Sequence, residues 1–432
     1  MADAASRLSA LTEELIGAPP PVRIRAWDGS TAGPAEGPTL VIRHRRALRR
    51  FLWKPGELGL VRAWVAGEID VEGDLYTVLD RLAQFIWDRG EEAEAAAKHP
   101  ALDPRLRSAA KSLVRIAGAW PPPPPPAEEI RGRHGSRHTK RRDKQAISHH
   151  YDVGNDFYEM VLGPSMVYSC AYWDDAPGFT LEDAQRAKLD LVCRKLELKE
   201  GERLLDVGCG WGSMALHAAR EYGARVTGVT LSREQAVFAR KRIAEEGLTD
   251  RIDIRVQDYR DVKDGPYDAI SSIGMAEHVG MVRYREYADD LYALLKPGGR
   301  LLNHQIGRRP MVNDEAYEID AFIDSYVFPD GELAPVGKTL ATLEEAGFEA
   351  RDVQALREHY ALTLRRWVAN LEAHWRDAVR ATSPGRARVW RLYMAASALS
   401  FEHNKIGVNQ ILAVKPPEGG RPVTALRELN WR

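Results

Sequence analysis

Short apolar runs and amphipathic stretches alternate along the chain from about residue 201 onward. The runs that are typical of buried strands lie at residues 203–207, 225–229, 252–256, 267–272 and 299–305. The helical period of apolar positions predicts helices between them that include residues 213–221, 233–246 and 284–295. Lys296-Pro-Gly-Gly299 predicts the end of the last of these helices and a turn before the next strand. This alternation predicts an α/β fold, a doubly wound sheet with helices on both faces.

A glycine-rich turn follows the first of these strands and carries the most informative motif in the chain. Its sequence is Arg203-Leu-Leu-Asp-Val-Gly-Cys-Gly-Trp-Gly-Ser213. A strand, a glycine turn and the free N–H groups of the next helix form a site for a nucleotide-like cofactor. A dinucleotide fingerprint needs a third glycine where this chain has Ser213. Asp206 with Gly208, Gly210 and Gly212 instead resembles motif I of the S-adenosylmethionine-dependent methyltransferases, with an ordinary glycine turn as the alternative.

The N-terminal third predicts a separate accessory domain. Residues 1–118 combine short apolar runs with turn signals, typical of a small α+β domain with a helix over 75–87. A linker at 119–144 follows, in which the six prolines at 121–126 form an extended, semi-rigid spacer. We expect the accessory domain to contact lipid, the membrane or a second subunit, so a homodimer is one arrangement that it allows.

The predicted catalytic domain covers residues 145–432. Within it, aromatic-rich helices over about 313–401 interrupt the alternation of strands and helices. An insertion of this kind predicts a lid or an acyl-chain pocket, because ligands of open α/β sheets bind at the carboxyl edge that it covers. The same aromatic residues would fit an ordinary core, and the pattern alone does not separate the two.

Length and net charge limit the function classes. The 432 residues exceed a typical single core, which favours two domains. A formal net charge of −1 excludes attraction of the whole protein to nucleic acid or lipid, so such contacts need local clusters. One cluster lies in the linker, at Arg131, Arg133, Arg137, Lys140, Arg141, Arg142 and Lys144. The other is interleaved with aromatic residues, at Arg43, Arg45, Arg46, Arg49, Arg50 and Lys54.

These clusters predict contact with an anionic membrane surface, at about 1 kcal/mol for each cation near the headgroups. A solvated linker is the alternative for the first cluster, and nucleic acid is the alternative for the second. The three cysteines, Cys170, Cys193 and Cys209, have no disulfide or C-x-x-C spacing, which fits a reducing cytoplasm. The start of the chain lacks the apolar core of a signal peptide, and no apolar run approaches the ~20 residues of a membrane span. A membranous substrate must then be reached from the water side.

A second group of motifs gives the chain a specific resemblance. His149-His-Tyr-Asp-Val-Gly-Asn-Asp-Phe-Tyr158 and Met166-Val-Tyr-Ser-Cys-Ala-Tyr-Trp173 are similar to the start of the catalytic domain in the cyclopropane fatty acid synthase and mycolic acid cyclopropane synthase family. Further similar motifs follow in the same order, at Gly228-Val-Thr-Leu-Ser232, Ser272-Ile-Gly-Met-Ala-Glu-His-Val-Gly280, Leu295-Lys-Pro-Gly-Gly299, His304-Gln-Ile-Gly307, Tyr326-Val-Phe-Pro329 and His359-Tyr360. The resemblance covers about residues 145–415, and the N-terminal third resembles the accessory domain of the longer bacterial members.

The resemblance implies S-adenosylmethionine as the cofactor, bound across the carboxyl ends of the first two strands. The residues that it places at the cofactor are Tyr168, Ser169, Asp206, Gly208, Gly210, Thr230, Gln235, Asp258, Tyr259 and Gly274. Many relatives have an acid at the end of the second strand, whereas Thr230 and Gln235 would supply neutral hydrogen bonds here. The family commonly has a Trp near Asp258 and Tyr259, so the chain departs from the pattern there. No metal is expected.

The same resemblance implies the chemistry. An unactivated alkene that attacks a sulfonium methyl group becomes a carbocation, which the site must shield from water and deprotonate. In the family a bicarbonate ion takes this proton, held at the positions of Cys170, Glu277, His304 and Tyr360. Cys170 as a nucleophile is a weaker alternative, because no Cys–His pair is evident from the spacing. A surface pair for Glu277 and a core hydrogen bond for His304 are the structural alternatives.

Aromatic side chains near these motifs would suit the path of the cation, because an aromatic face stabilises a cation by ~0.5–2 kcal/mol. They are Tyr151, Tyr168, Tyr172, Trp173 and Phe328, with core packing as the alternative. The family frequently has Cys where this chain has Ser397. That departure leaves the product less defined than the class of reaction.

The sequence therefore predicts a cytoplasmic enzyme, peripheral on the inner face of the membrane. It would transfer the methyl carbon of S-adenosylmethionine to the cis double bond of an unsaturated fatty acyl chain in a phospholipid. A cyclopropane is the favoured product, and a mid-chain methyl or methylene branch is the alternative. An alternative from another class is a lipid- or nucleic-acid-binding module with a decayed cofactor fold. Intact Glu277, His304 and Tyr360 argue against decay, and the absence of RNA-binding signatures argues against nucleic acid.

Overall fold

The structure is a computed structural model that describes residues 3–87, 104–118, 121–131, 137–140, 142–143, 153–314 and 317–419. It contains two compact units. The first comprises Met1–Arg131, Ser325–Val327 and Ser383–Leu399, and the second comprises Gly132–Asp324, Phe328–Thr382 and Ser400–Arg432. Seven residues singled out by sequence lie outside the described ranges, namely Arg133, Arg141, Lys144, His149, His150, Tyr151 and Asp152.

This division differs from the predicted domains in two places. The proline run at 121–126 groups with the first unit, where the Nη1 of Arg50 donates to the carbonyl oxygen of Pro124 at 2.7 Å. Residues 383–399, which the sequence placed in the lid, also group with the first unit. There the indole Nε1 of Trp64 donates to the carbonyl oxygen of Arg388 at 2.9 Å, and the Arg388 guanidinium lies 4.3 Å from the centre of the Trp64 ring. Amphipathic periodicity identifies such a helix but not the unit against which it packs.

The first unit is a small α+β structure. Its strands are β1 (Arg23–Arg25), β2 (Thr31–Ala32), β3 (Thr39–Ile42) and β4 (Ile69–Glu72), in the sheet order β2-β1-β3-β4. Its helices are α1 (Ala4–Ile16), α2 (Arg46–Trp53), α3 (Glu57–Val65), α4 (Leu75–Trp87) and α5 (Pro104–Ala117). Apolar side chains from α1, the sheet, α2 and α5 form one core. The helix predicted over 75–87 is confirmed by α4.

The second unit is built on a seven-stranded sheet. Its strands are β5 (Arg203–Val207), β6 (Arg225–Thr230), β7 (Ile252–Val256), β8 (Tyr267–Ile273), β9 (Leu295–Arg308), β10 (Glu349–Ala355) and β11 (Ile406–Val414). The order is β10-β11-β9-β8-β5-β6-β7, parallel from β9 to β7, with β11 antiparallel to both of its neighbours. The predicted doubly wound sheet is confirmed.

Helices cover both faces of this sheet. The helices that follow along the chain are α6 (Asn155–Leu162), α7 (Leu181–Lys195), α8 (Ser213–Tyr222), α9 (Arg233–Glu245), α10 (Ala276–Val279), α11 (Tyr284–Leu294), α12 (Ala321–Tyr326), α13 (Val336–Glu345), α14 (Arg357–Ala373), α15 (Trp375–Ala381) and α16 (Pro384–Glu402). Alternate strand residues enter two separate cores, so that Leu204 and Leu302 pack on one face and Leu205 and Leu301 on the other. Strands buried on both faces explain the continuous apolar runs in the sequence.

The turn predicted at Lys296-Pro-Gly-Gly299 lies inside β9 instead. Strand β9 pairs with β8 at Leu295 and again only at Arg300, which leaves an irregular stretch between the two. Gly298 adopts a φ of 82°, and its N–H donates to the carbonyl oxygen of Lys415 at 2.7 Å. The predicted turn is therefore wrong, because backbone hydrogen bonds with Lys415, the residue after β11, keep these residues in the sheet.

Among the described residues, no helix combines the length and the apolar character that a bilayer span requires.

Candidate active site

The glycine turn after β5 positions the site. The backbone N–H groups of Gly208 and Cys209 both donate to the carbonyl oxygen of Val229, at 3.0 Å, so the turn is fixed to the end of β6. Gly208 and Gly210 have φ values of 77° and 53°, which favour glycine. A side-chain carbon at Gly210 would meet no atom within 4 Å, whereas one at Gly208 would lie 2.5 Å from Met275. Gly210 therefore borders open space, and Gly208 is required for packing.

The third glycine of the turn allows close packing of helices. A side-chain carbon at Gly212 would lie 3.0 Å from the Cβ of Ala239 in α9. Arg242, also in α9, donates to the carbonyl oxygen of Trp211 at 3.1 Å and to the hydroxyl of Ser213 at 3.0 Å. No local motif marks Arg242, which lies 31 residues after Trp211 and 29 after Ser213.

Asp206 is buried at the end of β5, with 2 % of its surface exposed. The hydroxyl of Ser271, its pairing partner on β8, donates to Oδ1 at 2.8 Å. Burial raises the pKa of Asp206 to about 6, although the Ser271 hydrogen bond and the charge of Lys188 act in the opposite direction. Its second oxygen, Oδ2, has no hydrogen-bond partner within the described part of the chain. A carboxylate oxygen without a described partner thus lies two residues before Gly208, where the glycine turn begins.

A buried lysine lies beside Asp206, and sequence reasoning missed it. Lys188 of α7 is 1 % exposed, and its Nζ donates to the hydroxyl of Ser169 at 2.9 Å. Burial lowers the pKa of Lys188 to about 8. One turn earlier, the amide of Gln185 donates to the carbonyl oxygens of Leu162 and Val167. The sequence analysis predicted no helix over α7, so the burial of these two polar residues was not apparent.

The segment that contains Cys170 lies against α14. The Cys170 thiol donates to the carbonyl oxygen of Leu356 at 3.6 Å, and the backbone N–H of Tyr360 donates to the same oxygen. Ala171 donates its N–H to the hydroxyl of Thr363 at 3.1 Å. Burial raises the pKa of the Cys170 thiol well above its ordinary value, so the thiol stays protonated. This state argues against Cys170 as a nucleophile.

Glu277 follows β8 and reaches β9. The N–H of Ile306 donates to Oε1 of Glu277 at 2.7 Å, while Oε2 is buried and has no partner among the residues that the structure describes. Part of the residue is solvent-accessible, but its carboxyl end is enclosed. Burial raises the pKa of Glu277 to about 7, against the effect of the Ile306 hydrogen bond. The carboxyl group is thus close to half protonated at neutral pH.

His304 lies two residues before Ile306 on β9 and is 2 % exposed. Its Nδ1 lies 3.3 Å from the amide nitrogen of Gln410, its pairing partner on β11. Its Nε2 is buried without a hydrogen-bond partner in the described ranges. Burial, together with the charges of Lys188 and Lys195, lowers the pKa of His304 to about 3. The imidazole is therefore neutral at physiological pH.

Backbone hydrogen bonds bring the four predicted catalytic residues to one region. The N–H of Leu356, which links Cys170 and Tyr360, donates to the carbonyl oxygen of Val408 at 2.8 Å. Val408 pairs with Ile306, whose N–H is bound by Glu277. The ring of Tyr360 is buried against Phe401, with centres 4.8 Å apart. Cys170, Glu277, His304 and Tyr360 are thus linked to one another through neighbouring residues of β9, β11 and the start of α14.

The remaining predicted cofactor residues differ in what they contact. The Thr230 hydroxyl donates to the side chain of Gln235 at 2.9 Å, so these two residues bond to each other. Asp258 accepts hydrogen bonds from Arg260, including one from Nε at 2.8 Å. Burial raises the pKa of Asp258, but the hydrogen bonds and the charge of Arg260 outweigh this effect and lower the pKa below its ordinary value. Tyr259 packs edge-on against Tyr287, with ring centres 5.7 Å apart. Gly274 has a φ of 69° and open space at its Cα.

Comparison with known proteins identifies the family. Residues 138–411 match the mycolic acid cyclopropane synthetase family. The chain belongs to this family. It is 42 % identical to a probable fatty acid methyltransferase of Mycobacterium tuberculosis, over 94 % of both chains. It is also 40 % identical to the cyclopropane-fatty-acyl-phospholipid synthase of Escherichia coli strain K12, over 63 % of this chain and 68 % of that one.

A solved structure of the family shows the same fold. The mycolic acid cyclopropane synthase CmaA1, complexed with SAH and CTAB, matches 63 % of this chain and 98 % of its own with a TM-score of 0.59 and 32 % identity. The resemblance predicted from the motifs is confirmed, and the chain is an enzyme of the S-adenosylmethionine-dependent methyltransferase class. Its sheet is the one that this class of enzymes shares.

Proposed function

We propose that this family member transfers the methyl carbon of S-adenosylmethionine to the cis double bond of an unsaturated acyl chain in a phospholipid and forms a cyclopropane. The observation that carries the proposal is a pair of buried atoms without a partner among the described residues, Oε2 of Glu277, just after β8, and Nε2 of His304, which is paired with the last residue of β8. Buried polar atoms without partners are rare and unfavourable, so they indicate a missing ligand. The relatives named as fatty acid methyltransferase and cyclopropane synthase support this chemistry.

The residues around the glycine turn fit the proposed cofactor. Gly210 and Gly274 border open space, and Oδ2 of Asp206 is free to accept a hydrogen bond from an ammonium group. The cofactor, when bound, supplies an electrophilic methyl group. The SAH in the solved CmaA1 complex supports this assignment.

The residues at the ends of β8 and β9 fit a small oxyanion such as bicarbonate. The Gln410 amide nitrogen lies beside Nδ1 of His304, so the neutral imidazole carries its proton on Nε2 and can donate it to an anion, and a protonated Glu277 can also donate a hydrogen bond. Bicarbonate, when bound, supplies a base for the proton that the carbocation loses. Glu277 and His304 would hold it together with Tyr360, and Cys170 would contribute through its backbone.

The roles of the protein's own side chains follow from their surroundings. Glu277 is fixed by the N–H of Ile306, so its second oxygen keeps one orientation. The ring of Tyr360, held between Phe401 and Trp367, excludes water from the same region. Exclusion of water matters because water would otherwise capture the carbocation. Cys170 stays a neutral thiol and forms no bond to the substrate.

A mid-chain methyl or methylene branch is the second candidate product. The observation that favours it is that the relative aligned over 94 % of both chains is named a fatty acid methyltransferase, whereas the Escherichia coli cyclopropane synthase aligns over 63 % of this chain. Ser397, which replaces a frequent Cys, lies in the part of α16 that groups with the first unit. The cyclopropane and the methylene branch form from the same cation: loss of a proton from the added methyl group closes the ring, whereas a hydride shift to the neighbouring carbon before proton loss leaves an exocyclic methylene. A saturated methyl branch would need a hydride donor in addition.

The proposed membrane attachment, cytoplasmic and peripheral on the inner face, depends on the basic clusters. Several described cations of these clusters are ion-paired within their own unit, at Arg43–Asp70 (2.7 Å), Arg50–Glu68 (2.8 Å), Lys140–Asp261 (2.6 Å) and Arg142–Asp330 (2.6 Å). Such pairs weaken attraction to lipid. The proposal requires binding to anionic vesicles that falls as salt rises, and equal binding to neutral vesicles or preference for RNA would contradict it.

Expression of the chain in a bacterial host with unsaturated phospholipids tests the function. Mass spectrometry of the extracted lipids should show acyl chains with one added CH2, and a host that expresses the Glu277→Gln variant should lack them. Unchanged lipids in a host that accumulates the folded parent protein would contradict the proposed function.

A further inference from the structure

The arginine at the end of β9 forms only some of the hydrogen bonds of which its guanidinium is capable with the described residues. Arg308 is the last residue of β9 and is 9 % exposed. Its Nη1 donates to the carbonyl oxygen of Arg309 at 3.0 Å and lies 2.9 Å from Oδ1 of Asp314. Its guanidinium carbon lies 4.6 Å from the centre of the Tyr317 ring. One nitrogen and one face of the guanidinium are thus occupied.

The opposite edge of the same guanidinium forms no hydrogen bond with the described residues. Its Nε and Nη2 are both buried, and neither has a hydrogen-bond partner among the described residues. Three other described arginines, Arg49, Arg300 and Arg351, leave one such atom each. Nε and Nη2 form the fork that binds both oxygens of a carboxylate or phosphate. Arg62 uses this edge on Glu129, with both distances at 2.7 Å.

The fork lies on the catalytic face of the sheet. Side chains alternate along a strand, so His304, Ile306 and Arg308 share one face of β9. At about 3.3 Å per residue, Arg308 lies ~13 Å along the strand from His304. Solvent does not reach the two nitrogen atoms. An anion would therefore approach them along the face that carries His304, where a charged hydrogen bond meets little competition from water.

We propose that the fork of Arg308 binds the oxyanion at the polar end of the acyl substrate, the phosphate of a phospholipid or the carboxylate of a free fatty acid. This inference rests on the proposed function, because it assumes that an acyl chain reacts beside His304. The cation at the end of β9 then fixes one end of the chain and determines which carbon atoms lie at the catalytic residues. Arg308 is a specificity-determining residue, and Asp314 positions it.

Three lipids distinguish whether the bound oxyanion is a phosphate or a carboxylate. Each carries the same cis-monounsaturated chain, as phosphatidylglycerol, as the free acid or as the uncharged methyl ester, at equal mole fraction in neutral detergent micelles. Arg308→Met removes the fork and the charge, Arg308→Lys keeps only the charge, and Asp314→Asn keeps the fork. Methyl transfer from labelled S-adenosylmethionine gives KM and kcat, and calorimetry with S-adenosylhomocysteine gives cofactor affinity.

We expect Arg308→Met to raise KM about 10- to 100-fold for the lipid whose oxyanion binds, because two charged hydrogen bonds are lost. Cofactor affinity and KM for the methyl ester should change less than about twofold. Arg308→Lys should recover part of the loss, and Asp314→Asn, which weakens the contact that positions Arg308 but keeps the fork, should raise KM less than Arg308→Met does. An effect on phosphatidylglycerol assigns the phosphate, and an effect on the free acid assigns the carboxylate; either supports the proposal.

Two results would overturn the inference without touching the proposed function. One is an equal rise in KM for the methyl ester and for both charged lipids. The other is parental KM values for all three lipids in Arg308→Met or Arg308→Lys. If Arg308→Met fails to fold, Arg308→Lys decides the question alone. A folded parent that methylates none of the lipids would instead contradict the proposed function.

Discussion

The two halves of the site differ in how their polar groups are satisfied. Beside β6, the described side chains bond to one another, as in the pair of Thr230 with Gln235. At the ends of β8 and β9, Glu277 and His304 each keep one buried atom without a described partner. In the first half only Oδ2 of Asp206, among the residues discussed around the glycine turn, lacks a described partner, and Gly210 leaves open space for a ligand. The second half is incomplete until something else fills it, and this incompleteness indicates where the chemistry occurs.

Filling the open space should have the largest effect. Gly210→Val places a branched side chain where the ligand is proposed to bind, at a φ of 53° that such a side chain rarely adopts. We expect loss of measurable S-adenosylhomocysteine binding by calorimetry. Gly247→Val is the matched control, because Gly247 has a φ of 68° and open space but ends α9 away from the turn. Equal loss in both folded variants would assign the effect to backbone strain.

Changing the incomplete half should slow the reaction while cofactor binding persists. Glu277→Gln keeps the shape but removes a titratable group, and we expect turnover to fall at least ~100-fold. Tyr360→Phe should act similarly. Glu332→Gln is the control, since Glu332 also accepts a backbone N–H, that of Met281 at 2.9 Å, but has His138 as an ion-pair partner. Full activity of Glu277→Gln in bicarbonate-depleted buffer would place the chemistry elsewhere.

Removing the contact between the two halves should lower activity less than changing either half does. Lys188 connects Ser169 to the surroundings of Asp206, so Lys188→Met should loosen the segment before Cys170 and lower kcat/KM about tenfold. Lys195→Met removes a second buried lysine from α7, one bound to Asp352 at 3.0 Å. It should lower the melting temperature without changing cofactor affinity. Parental kinetics for Lys188→Met would mean that Lys188 serves stability alone.

The smallest effect concerns stability and its dependence on pH. The pKa of Glu277 is about 7 in the fold against an ordinary 4.5, so its ionised form opposes folding above that range. As pH falls through 7 the folded state binds the proton first, and the penalty disappears near pH 4.5. Glu277→Gln should therefore raise the free energy of unfolding by about 1–3 kcal/mol at pH 8. Denaturant unfolding should show no gain at pH 4.5, and a gain equal at both values would exclude this cause.

The sequence predicted most of the sheet because burial on both faces produces a pattern that periodicity reveals. The strands predicted at 203–207 and 252–256 agree with β5 and β7 residue for residue. The stretch at Lys296 was misread because its partner, Lys415, lies more than a hundred residues away. The grouping of residues 383–399 with the first unit involves a contact between residues even farther apart in the sequence, Trp64 and Arg388.

The candidate site was predicted through motifs and not through its polar contacts. Motifs located Glu277 and His304, but nothing local to them shows that one atom of each lacks a partner. Lys188 and Arg308 carry no motif. Lys188 is of interest because it is buried, and Arg308 because two of its buried nitrogen atoms have no partner among the described residues. Such properties depend on the packing of the whole unit. Asp258 shows the converse, because its sequence position suggested a ligand contact while the fold bonds it to Arg260.

The most direct test of the central claim is proton and carbon NMR of the product made from a ¹³C-methyl cofactor. Purified enzyme, labelled S-adenosylmethionine and phosphatidylglycerol with cis-monounsaturated chains would be incubated in bicarbonate buffer, and the lipid extracted. We predict label in high-field cyclopropyl signals, present with the parent and absent with Glu277→Gln. Label in vinylidene signals alone would replace the ring by the branched product. If folded protein that binds the cofactor leaves no label in the lipid, the result would contradict methyl transfer to an acyl chain.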